Sequence, residues 1–129
     1  GVIRLETALN RERAWNMMGP GLSATRDKLA DKRHPNAYRF LLPDQDLAQS
    51  LAEAVCYSIT LTERDWTARQ RQVVTTSLMR PPAQLAAELG LSEATLYKIR
   101  RAGRFDFYRS QWGSVDAAMT ALDRLYGLA

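Results

Sequence analysis

Pro81-Pro82, Gly90 and Gly103 confine residues 82–102 to two short helices joined by a tight turn. A residue before proline is driven away from helical backbone, so a helix arriving from upstream stops before Pro81, whereas Pro82 suits the first position of the next helix. That next helix spans Ala83–Leu89 with Leu85, Ala86 and Leu89 inward, and Gly90 stands where a left-handed residue closes a helix. Leu91 fills the corner, Ser92 caps a helix running from Glu93 to about Ala102, and Gly103 follows. Two helices crossed steeply through a tight turn need a small residue where they touch, a turn residue tolerant of positive φ, and apolar side chains on both sides. Ala86, Gly90 and the set Leu85, Leu89, Leu91, Leu96 and Ile99 fill those slots, so the segment reads as a helix-turn-helix.

The outward face of the second helix follows from its period of about 100° per residue. With Leu96 and Ile99 inward, Ala94, Tyr97, Lys98 and Arg101 face out, and Ser92 and Glu93 sit at the entrance. Small at its start and basic towards its end, this face suits the major groove of duplex DNA. Ala94 permits close approach or a thymine-methyl contact, Lys98 and Arg101 suit guanine edges or phosphates, and Tyr97 suits a phosphate. Arg100 and Arg104 extend the basic set. Arg69 and Arg71, in the first turn of the preceding helix, are placed to clamp the DNA backbone beside the amides there. Glu93 is the dissenting residue, which either accepts from a cytosine amine or repels phosphate.

Charge is distributed accordingly. The chain of 129 residues carries a net +4, mild in itself. Residues 66–110 hold eight bases and three acids, a local +5, and the remainder holds ten bases and eleven acids, −1. The excess thus belongs to one segment, as a polyanion-binding surface requires; a solvated helical face is the bland alternative.

Elsewhere the periodicity predicts mostly helix. Residues 1–8 alternate briefly (Ile3 and Leu5 against Arg4 and Glu6), which suits a short strand. Asn10 to Met18 reads as a brief helix stopped by Gly19-Pro20-Gly21, and another runs from Pro20 to about Lys32. Lys32–Asn36 is a polar turn, and Tyr38–Leu42 is apolar and of either type. Asp44 is a candidate N-cap for a helix reaching about Leu61, with Asp46 in its first turn. Leu47, Leu51, Ala54, Val55, Ser58 and Ile59 form its inward stripe, with Cys56 beside it as a small buried hydrophobe. Thr67 and Gln70 form a capping box that opens a helix carrying Val73, Val74, Ser77 and Leu78. A last helix covers Asp106 to Tyr126, with Phe107, Gln111, Val115, Ala118, Leu122 and Leu125 inward and Gly127 as its stop. The expected fold is mainly α: a helical bundle containing a helix-turn-helix, with one short strand near the N-terminus. The expected division is an N-terminal segment, 1–42, and a helical domain, 43–129.

Other chemistries find little support. A lone cysteine, Cys56, makes no internal disulfide and fits a reducing compartment, and no apolar run approaches the roughly 20 residues of a membrane span. Gly19-Pro20-Gly21-Leu22-Ser23-Ala24 matches a dinucleotide fingerprint on paper, but no strand precedes it and its proline removes an amide. There is no phosphate loop, no paired-cysteine motif and no zinc-protease motif, so no cofactor, no metal and no enzyme activity is expected. His34, the only histidine, reads as a solvated turn residue. Gly1 is not an initiator methionine; the chain is processed, carries a residue added in cloning, or is a piece of something longer.

From Trp66-Thr-Ala-Arg-Gln-Arg-Gln-Val-Val through Gln84-Leu-Ala-Ala-Glu-Leu-Gly-Leu-Ser-Glu-Ala-Thr-Leu-Tyr-Lys-Ile-Arg-Arg-Ala-Gly, the chain resembles the helix-turn-helix of bacterial regulators, sigma-factor region four and LuxR-type domains included. That resemblance implies a small helical bacterial domain whose second motif helix, 93–102, is the reader. Pro81-Pro82 departs from the polar cap usual in those families. Met18-Gly-Pro-Gly-Leu-Ser-Ala-Thr-Arg-Asp-Lys-Leu-Ala, followed by a helix and then a helix-turn-helix, also resembles the C-terminal part of SatD-like proteins. Where Met18 stands, that family usually has an acidic residue. This second resemblance implies that residues 1–42 are the remnant of a larger domain.

The expectation is a cytoplasmic, sequence-specific DNA-binding protein, a bacterial transcriptional regulator, with double-stranded DNA as its partner and no membrane association. A single reading helix has a small footprint, so helix 106–127 is also the candidate contact of a homodimer on a two-fold site. The alternatives are a helical protein-interaction module, or the regulatory domain of a longer protein, in which the arginines only solvate the surface. RNA binding through Phe105, Phe107 and Tyr108 is a lesser variant.

Overall fold

In a computed structural model of the chain, the described residues are 7–8, 17–18, 26–42 and 44–127, and they are mainly helical. Two short strands, β1 (Thr7–Ala8) and β2 (Met17–Met18), pair antiparallel with Thr7 opposite Met18. Helical residues 26–30 form α1. They are followed by α2 (Asp46–Asp65), α3 (Ala68–Ser77), α4 (Pro82–Leu89), α5 (Glu93–Ala102) and α6 (Phe105–Leu125). β2 corrects the helix expected over Asn10–Met18 at its last two residues, whose backbone pairs with β1. The rest of that stretch, Ile3, Leu5 and the Gly19-Pro20-Gly21 turn lie outside the described residues.

The chain divides into two compact units, residues 58–116 and residues 1–57 with 117–129. The division falls inside α2 and α6, helices of 20 and 21 residues.

In the unit of 1–57 with 117–129, side chains organise the backbone of residues 31–42. Buried Asn36 donates from Nδ2 to the Glu53 carbonyl at 2.9 Å and accepts the Tyr38 amide at 3.0 Å. Lys28 pairs with Glu53 at 2.6 Å, and Arg39 donates to the Asp31 carbonyl at 2.8 Å. Asp44 is not the N-cap of α2. It adopts φ 60°, a left-handed conformation that aspartate tolerates, in a turn whose Gln45 amide donates to the Leu42 carbonyl at 3.1 Å. The inward stripe holds at Ile59, which is buried together with Cys56 as expected, but fails at its start: Leu47 and Leu51 are 74% and 59% exposed and Ala52 is buried. α2 continues past Leu61 to Asp65 with Thr60 and Thr62 also buried.

The unit of 58–116 is built as the punctuation requires. Both arms of the α3 capping box form: the Gln70 amide donates to Thr67 Oγ1 at 3.2 Å, and the Thr67 amide donates to Gln70 Oε1 at 2.9 Å. α4 begins at Pro82 and ends at Gly90, whose φ of 65° is left-handed; the Leu91 amide reaches back to the Ala86 carbonyl at 2.9 Å. Ser92 caps α5 by accepting the Thr95 amide at 3.2 Å. α3 packs mainly on α5, and α4 packs on both. Val73, Leu85, Ala86 and Leu96 are buried at the centre, ringed by Leu89, Leu91 and Ile99.

Behind this triplet, Trp66 ties α5 to the helices that flank it. Its indole donates to the Gly103 carbonyl at 2.8 Å, and its ring meets Tyr108 edge-on with centroids 4.7 Å apart. Tyr108 donates to Glu63 Oε1 at 2.8 Å and Gln111 donates to Ser58 Oγ at 2.9 Å, so the end of α2 and the start of α6 run antiparallel. The buried row of α6 is Phe105, Tyr108 and Val115; Phe107, expected inward, is 52% exposed, as is Leu125 at 67%, and Ala118 is also exposed. Trp66 and Glu63 recruit Tyr108, which turns its neighbour Phe107 outward. Gly103 is required by proximity: a Cβ there would lie 2.6 Å from Val74 Cγ2. Gly103→Ala is therefore expected to destabilise the unit by about 1–3 kcal/mol, because buried, β-branched Val74 must shift to admit the methyl group; denaturant unfolding checks it.

Burial, reinforced by the Glu63 carboxylate that accepts its proton, pushes the Tyr108 phenol from 10.0 up to about 12. The unfolded chain releases that proton near pH 10 while the folded chain keeps it, so stability falls as pH rises from 10 to 12. Melting temperatures across that interval are expected to fall more steeply in the wild type than in Tyr108→Phe.

Candidate nucleic-acid interface

α5 carries the candidate reading face. Its ten residues start at a Ser92 cap, bury Leu96 completely, and leave Ile99 partly covered. The opposite arc is open: Ala94, Lys98 and Arg101 are exposed and Tyr97 is 49% exposed. The outward orientation expected of these four residues is the one found. Ser92 and Glu93 are exposed at the helix entrance. The Ser92 hydroxyl is already engaged, accepting the Thr95 amide and bonding Thr95 Oγ1 at 2.9 Å. Glu93 lies in the first turn of α5, where a carboxylate offsets the helix dipole.

The eight bases of residues 66–110 separate into two groups. Arg80 pairs with Glu88. Arg71 donates to the Glu63 carbonyl at 2.6 Å and lies 5.6 Å from the Trp66 ring centre, so its guanidinium braces the domain. Arg100 is half-buried with its guanidinium carbon 3.9 Å from the Phe105 ring centre. By contrast Lys98, Arg101, Arg104 and Arg109 are exposed and make no ion pair among the described residues. Arg69 is exposed and donates to Gln72 at 3.0 Å. It stands in the first turn of α3, which contains no acid.

No family model, curated protein or solved structure matches the chain. The site is therefore read from its own geometry.

Among the described residues no cluster of His, Cys, Asp or Glu is placed to hold a metal ion, and no helix is long and apolar enough to cross a membrane. Arg104, with φ 59°, lines a shallow cleft with Asp65 and Trp66. His34 is exposed and shares its Nδ1 between the Asn36 amide, at 3.1 Å, and Arg39. Of the aromatics considered for base stacking, Phe105 and Tyr108 are buried in the core. The sequence places Gly103 only as the stop after α5 and Trp66 only at the head of the stretch that resembles bacterial regulators; the hydrogen bond between them adds a packing role for both.

Proposed function

We propose that the chain binds duplex DNA in a sequence-specific manner and acts as a bacterial transcriptional regulator, with α5 lying in the major groove. The observation that carries this reading is the open α5 face, on which Lys98 and Arg101 stand exposed, with no ion pair among the described residues, beside Tyr97 and Ala94. The small entrance lets the helix approach base edges, and the long cations beyond it reach guanine or phosphate. Arg69 supports the same reading. A cation in the first turn of a helix opposes the helix dipole, and a phosphate held there relieves the conflict. Such a protein works in the cytoplasm, beside the chromosome.

Titration against duplex DNA over a range of salt concentrations tests the proposal. Arg69, Lys98, Arg101 and Arg104 on phosphates or phosphate-flanked base edges give a log–log slope of about −3 to −4. A flat salt dependence, or no binding at low salt, overturns the proposal. The second reading, a protein-docking module, is favoured by Leu78 and Met79, 42% and 88% exposed just after α3; it predicts no duplex binding at low salt. Selection from a random duplex pool is expected to return two-fold symmetric sites, with exposed Phe107 of α6 available for contact between copies.

A further inference from the structure

Arg100 stands among the bases of α5 but does not share their surroundings. Its guanidinium carbon lies 3.9 Å from the centre of the Phe105 ring and 5.2 Å from that of Tyr97, so one planar cation reaches two rings. The rings differ in kind: Phe105 is 3% exposed and anchored in the core, whereas Tyr97 is 49% exposed on the candidate reading face. We propose that Arg100 is a positioning residue, which fixes Tyr97 on the reading face by bridging it to Phe105 and does not itself contact DNA. The inference rests on the DNA-reading function proposed above.

The physical reasoning is preorganisation. A tyrosine on a bare helix surface samples several side-chain wells, and binding DNA in one of them sacrifices that freedom. A guanidinium stacked on the fixed Phe105 ring gives Tyr97 a wall to rest against before DNA arrives. Only arginine serves: its planar, weakly hydrated head lies flat against rings, whereas the ammonium of lysine is a compact, strongly hydrated point charge. To reach a phosphate instead, the guanidinium would have to leave both rings, and Lys98 and Arg101 already supply exposed cations on the same helix.

Arg100→Lys, Arg100→Ala, Tyr97→Ala and the double variant Arg100→Ala/Tyr97→Ala, titrated against the selected duplex, test the proposal. Loss of Arg100 is expected to weaken binding about 2- to 12-fold, the equivalent of ordering one side chain. Arg100→Lys is expected to weaken it as well although the charge is kept, the salt slope is expected not to move, and the Arg100 effect is expected to vanish once Tyr97 is absent. In the free protein, side-chain coupling constants are expected to show one Tyr97 rotamer in the wild type and averaged rotamers in Arg100→Lys. A slope shallower by about 0.9 in Arg100→Ala, with full affinity kept by Arg100→Lys, makes Arg100 a phosphate contact and overturns the proposal. If the wild type binds no duplex, the proposed function fails, and the rotamer measurement still decides Arg100 separately: averaged Tyr97 rotamers in the wild type overturn its positioning role.

Discussion

Leu96→Ala is expected to lower the unfolding free energy by about 2–5 kcal/mol. Leu96 is fully buried with Val73, Leu85 and Ala86, one residue each from α3 and α5 and two from α4. α4 and α5 have eight and ten residues, and isolated helices shorter than about 12–15 residues are marginal in water. Their helicity therefore depends on this shared apolar contact, and a cavity at its centre weakens both together. Since a domain has about 5–15 kcal/mol of stability, the variant loses a large share of it. Denaturant unfolding followed by far-ultraviolet dichroism checks the prediction. A shift below about 1 kcal/mol would mean that the neighbours collapse into the space, and that the triplet is held chiefly by the Trp66–Gly103 contact behind it.

How legible these helices were depended on what ended them. Pro81-Pro82, Gly90, Ser92 and the Thr67–Gln70 box act through local backbone chemistry, so the start of α3 and the limits of α4 and α5 followed from adjacent residues, whereas α3, expected to carry Leu78, ends at Ser77. Where the deciding interaction was distant, local signals misled. Asp44 has the composition of a cap, but the Leu42–Gln45 turn places it at φ 60° and moves the helix start to Asp46. On α2 the large residues Leu47 and Leu51 suggested that the inward arc began with them, while small Ala52 is buried instead. On α6, Phe107 and Tyr108 compete for the interior as neighbours. Hydrophobicity favours Phe107, but Trp66 and Glu63 give the tyrosine both a ring contact and a proton acceptor, and it is buried.

The candidate site shows the same contrast. Which residues of α5 point outward follows from helical period once Leu96 and Ile99 are assigned inward, and all four proposed readers are exposed. Which cations are available does not follow from period. Arg71 and Arg100 have the same formal charge as Arg69 and Arg101, yet Trp66, the Glu63 carbonyl and Phe105 engage them. Those partners lie on other elements or beyond a helix end, where sequence spacing carries no distance.

The double substitution Lys98→Ala/Arg101→Ala is expected to remove about 2–6 kcal/mol of specific binding, from about 1–3 kcal/mol for each base contact if the two add. The residues lie three apart on α5, so both side chains leave the same helical face, one turn after Ala94 and Tyr97. If they read base edges, each single variant relaxes sequence preference at its own position, and selection from a random pool returns a degenerate base there. Arg69→Ala provides the contrast. It stands at the start of α3 and is expected to touch backbone only, so its loss weakens all duplexes alike and makes the salt slope shallower by about 1. Folding does not confound the comparison: Lys98 and Arg101 are exposed and form no ion pair among the described residues, so the stability of their variants is expected to stay within about 0.5 kcal/mol of the wild type. If affinity and selected sequence are unchanged in the double variant while the fold is intact, α5 does not face the DNA, and the basic surface would have to act through Arg69, Arg104 and Arg109 instead.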